Sequence, residues 1–92
     1  MTTEELLELN KEIEDLEATY VESKLEYETK KADILLNTDF SSEIGKPKPT
    51  VAEKDAWVKL QTVEDERRVK DLGVIIGSRK RIYEILLKVG DD

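Results

Sequence analysis

The chain has 92 residues, 40% of them charged and 38% hydrophobic, with a net charge of −7. That length makes one small domain, and a charged share well above the roughly 25% of ordinary globular chains suits long solvated helices. With no Cys and no His, disulfide frameworks, thiolate zinc sites, cysteine nucleophiles and imidazole acid–base chemistry are excluded.

The first element is predicted as a helix over about residues 3–37. No Gly or Pro occurs between Glu4 and Leu36, and Thr2 with Glu5 matches a capping box. Leu6, Leu9, Ile13, Leu16, Tyr20, Ser23, Tyr27, Lys30 and Ile34 alternate by three and four, the spacing of a coiled-coil seam. Met1–Glu5 lacks the basic and then apolar regions of a signal peptide. The uninterrupted aliphatic runs, such as Val74–Ile76 and Ile85–Leu87, are too short to span a membrane. A soluble, cytoplasmic protein is the expectation.

A loop follows over about 38–49, rich in turn formers and closed by Lys46-Pro47-Lys48-Pro49. Phe40 and Ile44 in this loop, with Trp57 beyond it, are expected to form a small satellite core at the tip; a tip that binds a partner is the alternative reading. The second helix is predicted over about 50–89, capped by Thr50 and Glu53 and ended by Gly90 as its C′ residue. Its seam is read as Ala52, Ala56, Leu60 and Val63, widening into the apolar stretch from Leu72 to Val89. Gly73 and Gly77 mark either a close helix crossing or a break near Gly73.

So short a connection most simply returns the two helices antiparallel, all-α, in a coiled-coil-like hairpin. If Leu36 faces Thr50, paired positions sum to about 86, with Leu9 near Gly77 and Leu16 near Lys70. Glu4–Glu17 carries seven acids and one base, while Arg67–Lys88 carries seven bases and two acids, so this pairing sets opposite charges side by side. Such pairs contribute little each, about 0–1 kcal/mol when exposed, but they select a register.

Apolar surface is left over. Val21, Leu25, Ala32 and Leu35 lie roughly 130° around the first helix from its seam, and the face from Leu72 to Val89 is wider than one neighbour covers. The expectation is a homodimer completing a four-helix bundle, with Val21, Leu25, Ile75, Ile82 and Leu86 at the second interface. Docking on another protein is the alternative use of the same stripe.

Arg67, Arg68, Arg79, Lys80 and Arg81 are the candidate nucleic-acid contacts. Three successive helical residues point 100° apart, no aromatics interleave with them, and the chain is acidic overall, so phosphate binding is disfavoured. The carboxylates sit on solvated helical faces without a phosphate loop, metal spacing or nucleophile–base pair, so the reading is non-enzymatic, with no cofactor and no metal. All-helical chorismate mutases have similar length but place an arginine near the start of a long first helix; here the first Arg is Arg67.

The stretch Gly45–Trp57, GKPKPTVAEKDAW, following an acidic heptad helix, resembles small uncharacterised proteins encoded by phages and prophages of Gram-positive bacteria. That resemblance implies a non-enzymatic accessory protein acting in the cytoplasm of a bacterial host. It transfers no functional residues.

Overall fold

The computed structural model describes residues 2–90. Helices make up 89% of them and no strand occurs among them, so the fold is all-α. The elements are α1 (Thr3–Asn37), α2 (Phe40–Ile44), α3 (Val51–Gln61) and α4 (Val63–Gly90). The backbone measures 68 × 17 × 14 Å with a radius of gyration of 20.0 Å, against roughly 12 Å for a compact domain of this length. The molecule is a rod.

Local chemistry sets the helix ends. The Thr2 hydroxyl accepts from the Glu5 N–H at 3.2 Å, satisfying one of the orphan donors of the first turn. At α3 the capping box is complete: the Glu53 N–H donates to Thr50 Oγ1 (3.2 Å) and the Thr50 N–H to Glu53 Oε1 (3.4 Å). Lys46 reaches the same carboxylate at 3.0 Å, tying the connection to the helix it leads into. α4 includes Gly90 as its last residue, one beyond the expected end; Asp91 and Asp92 lie outside the described residues.

The connection is not a plain loop. Asp39 caps the short α2, its carboxylate accepting from the Ser42 N–H at 3.4 Å. Gly45 then ends α2 at φ +79°, a left-handed conformation that glycine adopts without a Cβ penalty.

The second arm also departs from expectation. Its interruption is at Thr62 (φ −116°, ψ 13°), while α4 runs unbroken through Gly73 and Gly77. The Thr62 hydroxyl donates to the Val58 carbonyl at 2.9 Å, and its N–H is shared between the carbonyls of Val58 (3.0 Å) and Lys59 (3.3 Å). A hydroxyl that bonds back onto the preceding turn competes with the helical ladder and loosens it. Gly73 lies within the continuous α4 helix beside Tyr20, whose ring edge would meet a Cβ there at 3.6 Å, an ordinary contact distance.

α1 packs along α4 and the end of α3. On α1 the seam runs as read at eight of its nine positions: Ile13 is buried, Leu6, Leu9, Leu16, Tyr20, Ser23, Tyr27 and Ile34 are half-buried, and Lys30 is exposed. On the second arm the expected seam is wrong. Ala52, Ala56, Leu60 and Val63 are exposed, and the buried line is Val58, Thr62, Asp65, Val69, Leu72, Ile76, Tyr83 and Leu86. The physical reason lies further along the helix. Continued at the same spacing, the expected stripe meets Arg67 and Lys70, whereas the line from Val58 meets Val69, Leu72 and Ile76. It crosses two polar residues, each satisfied: Thr62 by its own turn and Asp65 by Lys30 at 2.8 Å.

The register differs too. Glu12–Arg79, Lys30–Asp65 and Glu17–Lys80 give position sums of 91, 95 and 97 against the expected 86. The arms are offset by about one heptad, because α2 stacks beyond the end of α1 and the first turns of α3 overhang. A seven-residue offset leaves the same helix faces opposed, so periodicity alone does not detect it.

Candidate functional site

The seam between the arms has two edges, and ion pairs mark both. Adjacent residues Arg79 and Lys80 reach α1 on opposite sides of it: Arg79 Nε to Glu12 Oε1 at 3.4 Å, Lys80 Nζ to Glu17 Oε1 at 3.2 Å. Glu12 and Glu17 lie on either side of the seam line through Ile13, Leu16 and Tyr20. The expected basic cluster is thereby divided. Of its members, Arg67 and Arg81 make no ion pair among the described residues, and Arg68 acts on Asp65 only at longer range.

The apolar residues singled out for self-association lie away from the seam. Val21 and Leu25 are 64% and 63% exposed, Ile75 and Ile82 43% and 40%, and Leu86 is half-buried at the seam edge. Val21 stands four residues after Glu17 and Leu25 four after that, so both follow the Glu17–Lys80 edge; Val21 lines a shallow groove there with Tyr20, Gly73, Ile76 and Lys80. Ile75 stands four before Arg79 and Ile82 three after it, on the other edge, where Ile75 lines a depression with Arg67, Arg68 and Asp71. Further exposed apolar residues extend each group: Leu7 and Leu36 on α1, Val74, Ile85 and Val89 on α4. There are two outward stripes, on opposite sides of the rod.

At the tip, Phe40 is buried and meets Trp57 edge to face, centroids 5.6 Å apart at 86°, with Ile44 half-buried beside them. Lys54 places its ammonium 5.7 Å from the Phe40 ring. These contacts fix the overhang of α3 and hence the register of everything below it.

Electrostatic perturbations follow the ion pairs and caps. Hydrogen bonding from Lys30 holds the Asp65 carboxyl below its ordinary value, Lys70 does the same for Glu66 and is itself raised by it, and Lys46 lowers Glu53. The Ser41 hydroxyl lowers Asp39. Among the described residues no group of three or more carboxylates is placed to hold a metal ion, and no helix is long and apolar enough to cross a membrane. Every buried side-chain polar atom among them has a hydrogen-bond partner.

Sequence reading overlooked Thr62, Asp65 and Lys54. One signal did point to Asp65: Lys30 falls at a seam position of α1 by spacing, and a cation there favours an acid on the facing helix. Comparison with protein-family models, with characterised proteins and with solved structures finds no match to this chain.

Proposed function

We propose that this chain is a non-enzymatic structural or interaction protein, an antiparallel helical hairpin that works by docking helix on helix. Its first partner is a second copy of itself, giving at minimum a homodimer of four packed helices. One observation carries the reading: Val21, Leu25, Val74 and Ile85 are each 60% or more exposed and gather with other exposed apolar residues on two helix faces, where scattered surface apolars would need no explanation. The perturbed carboxylates belong to ion pairs and helix caps, which suits a framework. The likeness of Gly45–Trp57 to small phage-encoded proteins agrees with an accessory role in a bacterial cytoplasm, with other proteins as further partners.

Sedimentation equilibrium tests the proposal. A dimer or larger species at tens of micromolar, corresponding to about −6 to −8 kcal/mol of association, supports it; a folded monomer throughout that range overturns self-association. The second reading, an accessory factor binding nucleic acid through Arg67, Arg68, Arg79, Lys80 and Arg81, has less support, because Arg79 and Lys80 engage acids on opposite edges. Binding to DNA or RNA that falls steeply with salt would revive it.

A further inference from the structure

We infer that the two outward stripes are the two halves of a single contact between copies, the α1 stripe of one copy docking on the α4 stripe of the next. This rests on the self-association proposed above and adds its geometry. Leu7, Val21, Leu25 and Leu36 face outward from α1, and Val74, Ile75, Ile82 and Ile85 face outward from α4.

Charge selects the pairing. α1 holds eleven acids and four bases, a net −7, whereas α4 holds seven bases and five acids, a net +2. Glu14 and Glu28 lie within the α1 stripe and Glu22 beside it, while Arg67 and Arg81, without ion-pair partners among the described residues, lie along the α4 stripe together with the acids Glu64 and Asp71. Two acidic α1 stripes in contact repel, whereas α1 against α4 brings those acids to Arg67 and Arg81 and repeats between copies the complementarity that joins the arms within one.

The stripes lie on opposite sides of the rod, so this contact is heterologous. A pair of copies leaves one stripe free at each end, and the assembly grows with concentration instead of closing about a two-fold axis. A bundle closed by two copies would cover only one stripe.

Two single-stripe variants of the full chain test this, Leu25→Glu on α1 and Ile85→Glu on α4, followed by sedimentation velocity. Both positions are well exposed, so helix content by circular dichroism should be retained; Val21→Glu and Val74→Glu serve as a second pair. Each variant alone is expected to associate at least tenfold more weakly than the unaltered chain. An equimolar mixture is expected to form a 1:1 complex that grows no further, since one intact α1 stripe meets one intact α4 stripe. Added salt is expected to weaken that complex. If either variant alone still associates like the unaltered chain, or the mixture fails to pair, this contact is overturned. An unaltered chain that stops at a dimer overturns the contact but leaves self-association standing; one that stays monomeric overturns both.

Discussion

Replacing Val58 and Leu60 with alanine, one at a time, separates the seam the structure forms from the one the sequence suggests. The two residues are two positions apart on α3, and they are 2% and 72% exposed respectively. Val58→Ala removes two carbons from a filled site, about 0.8 kcal/mol each by transfer. The cavity left behind adds to this, because rigid neighbours collapse into it only in part. The sum is about 2–3 kcal/mol, a large share of the roughly 5–14 kcal/mol available to a chain of this length. Leu60→Ala removes contacts made mainly with water, and alanine is the better helix former, so its effect should stay within about 0.5 kcal/mol. For a domain of this size 1 kcal/mol moves Tm by roughly 4–8 °C. Thermal melts followed at 222 nm should therefore show Val58→Ala falling by about 10 °C or more, with Leu60→Ala nearly unchanged. Both must be run at one protein concentration, because association shifts apparent stability by mass action. Equal losses, or a larger loss at Leu60, would refute the buried line through Val58, Thr62 and Ile76.

The remaining expectations concern the backbone, a cap and pH. Gly77→Ala should raise stability by about 1 kcal/mol, since nothing lies within 4 Å of the new methyl; Gly73→Ala should also stabilise, because its Cβ would meet Tyr20 at an ordinary contact distance of 3.6 Å. Both are read as Tm in urea or heat. Thr50→Ala, which dismantles the capping box of α3, should lower stability by about 1 kcal/mol in the same melts. Acid should destabilise the helical fold: the folded pKa values of Asp65, Glu66 and Glu53 are depressed, so their contributions are complete above the unfolded values and fade as pH falls through the folded ones, below about pH 4. Lys70 is shifted upward, so its contribution is complete below its unfolded value and is lost only in alkali as pH rises through the folded one. Lys30→Met should flatten the acid limb of a Tm-against-pH curve by removing the main cause of the Asp65 shift.

Periodicity made α1 legible almost residue by residue, because its seam is apolar at seven of nine positions and α4 covers it along most of its length. The caps at Thr2 and Thr50 were legible for a different reason, since capping is local chemistry written in three or four consecutive residues. The second arm was misread where its seam turns polar. Thr62 and Asp65 lie on the buried line, but hydrophobic periodicity passes over them and settles on the alanines and leucines of the neighbouring face. Thr62 is buried without penalty only because its own helix turn accepts its hydroxyl, a bond that has no sequence signature beyond the residue type. The register was misjudged because α2 is short and its stacking against Trp57 is a tertiary matter. Leftover apolar surface on both arms was visible from the wheel, but not that its two halves face opposite ways, which depends on the edges marked by Glu12–Arg79 and Glu17–Lys80.

The pair Lys30–Asp65 is one of the contacts that match the observed alignment of the arms. Slipping the second arm back by one heptad, close to the register that loop length suggests, would bring Lys30 opposite Val58 and Asp65 opposite Ser23; slipping it forward would set Lys30 against Leu72 and Asp65 against Asn37. Either slip keeps the apolar faces together, so hydrophobic burial hardly distinguishes the three alignments. Both slips separate Lys30 from Asp65, whose side chains are 50% and 26% exposed, so the pair contributes only about 0–1 kcal/mol toward the observed alignment. That small preference adds to the edge-to-face contact of Phe40 and Trp57 at the tip, which holds the same alignment. At the far end the same register brings Glu12 and Glu17 to Arg79 and Lys80, which leaves Arg67 and Arg81 on the outer face of α4, beside the stripe that a second copy's acidic α1 would cover.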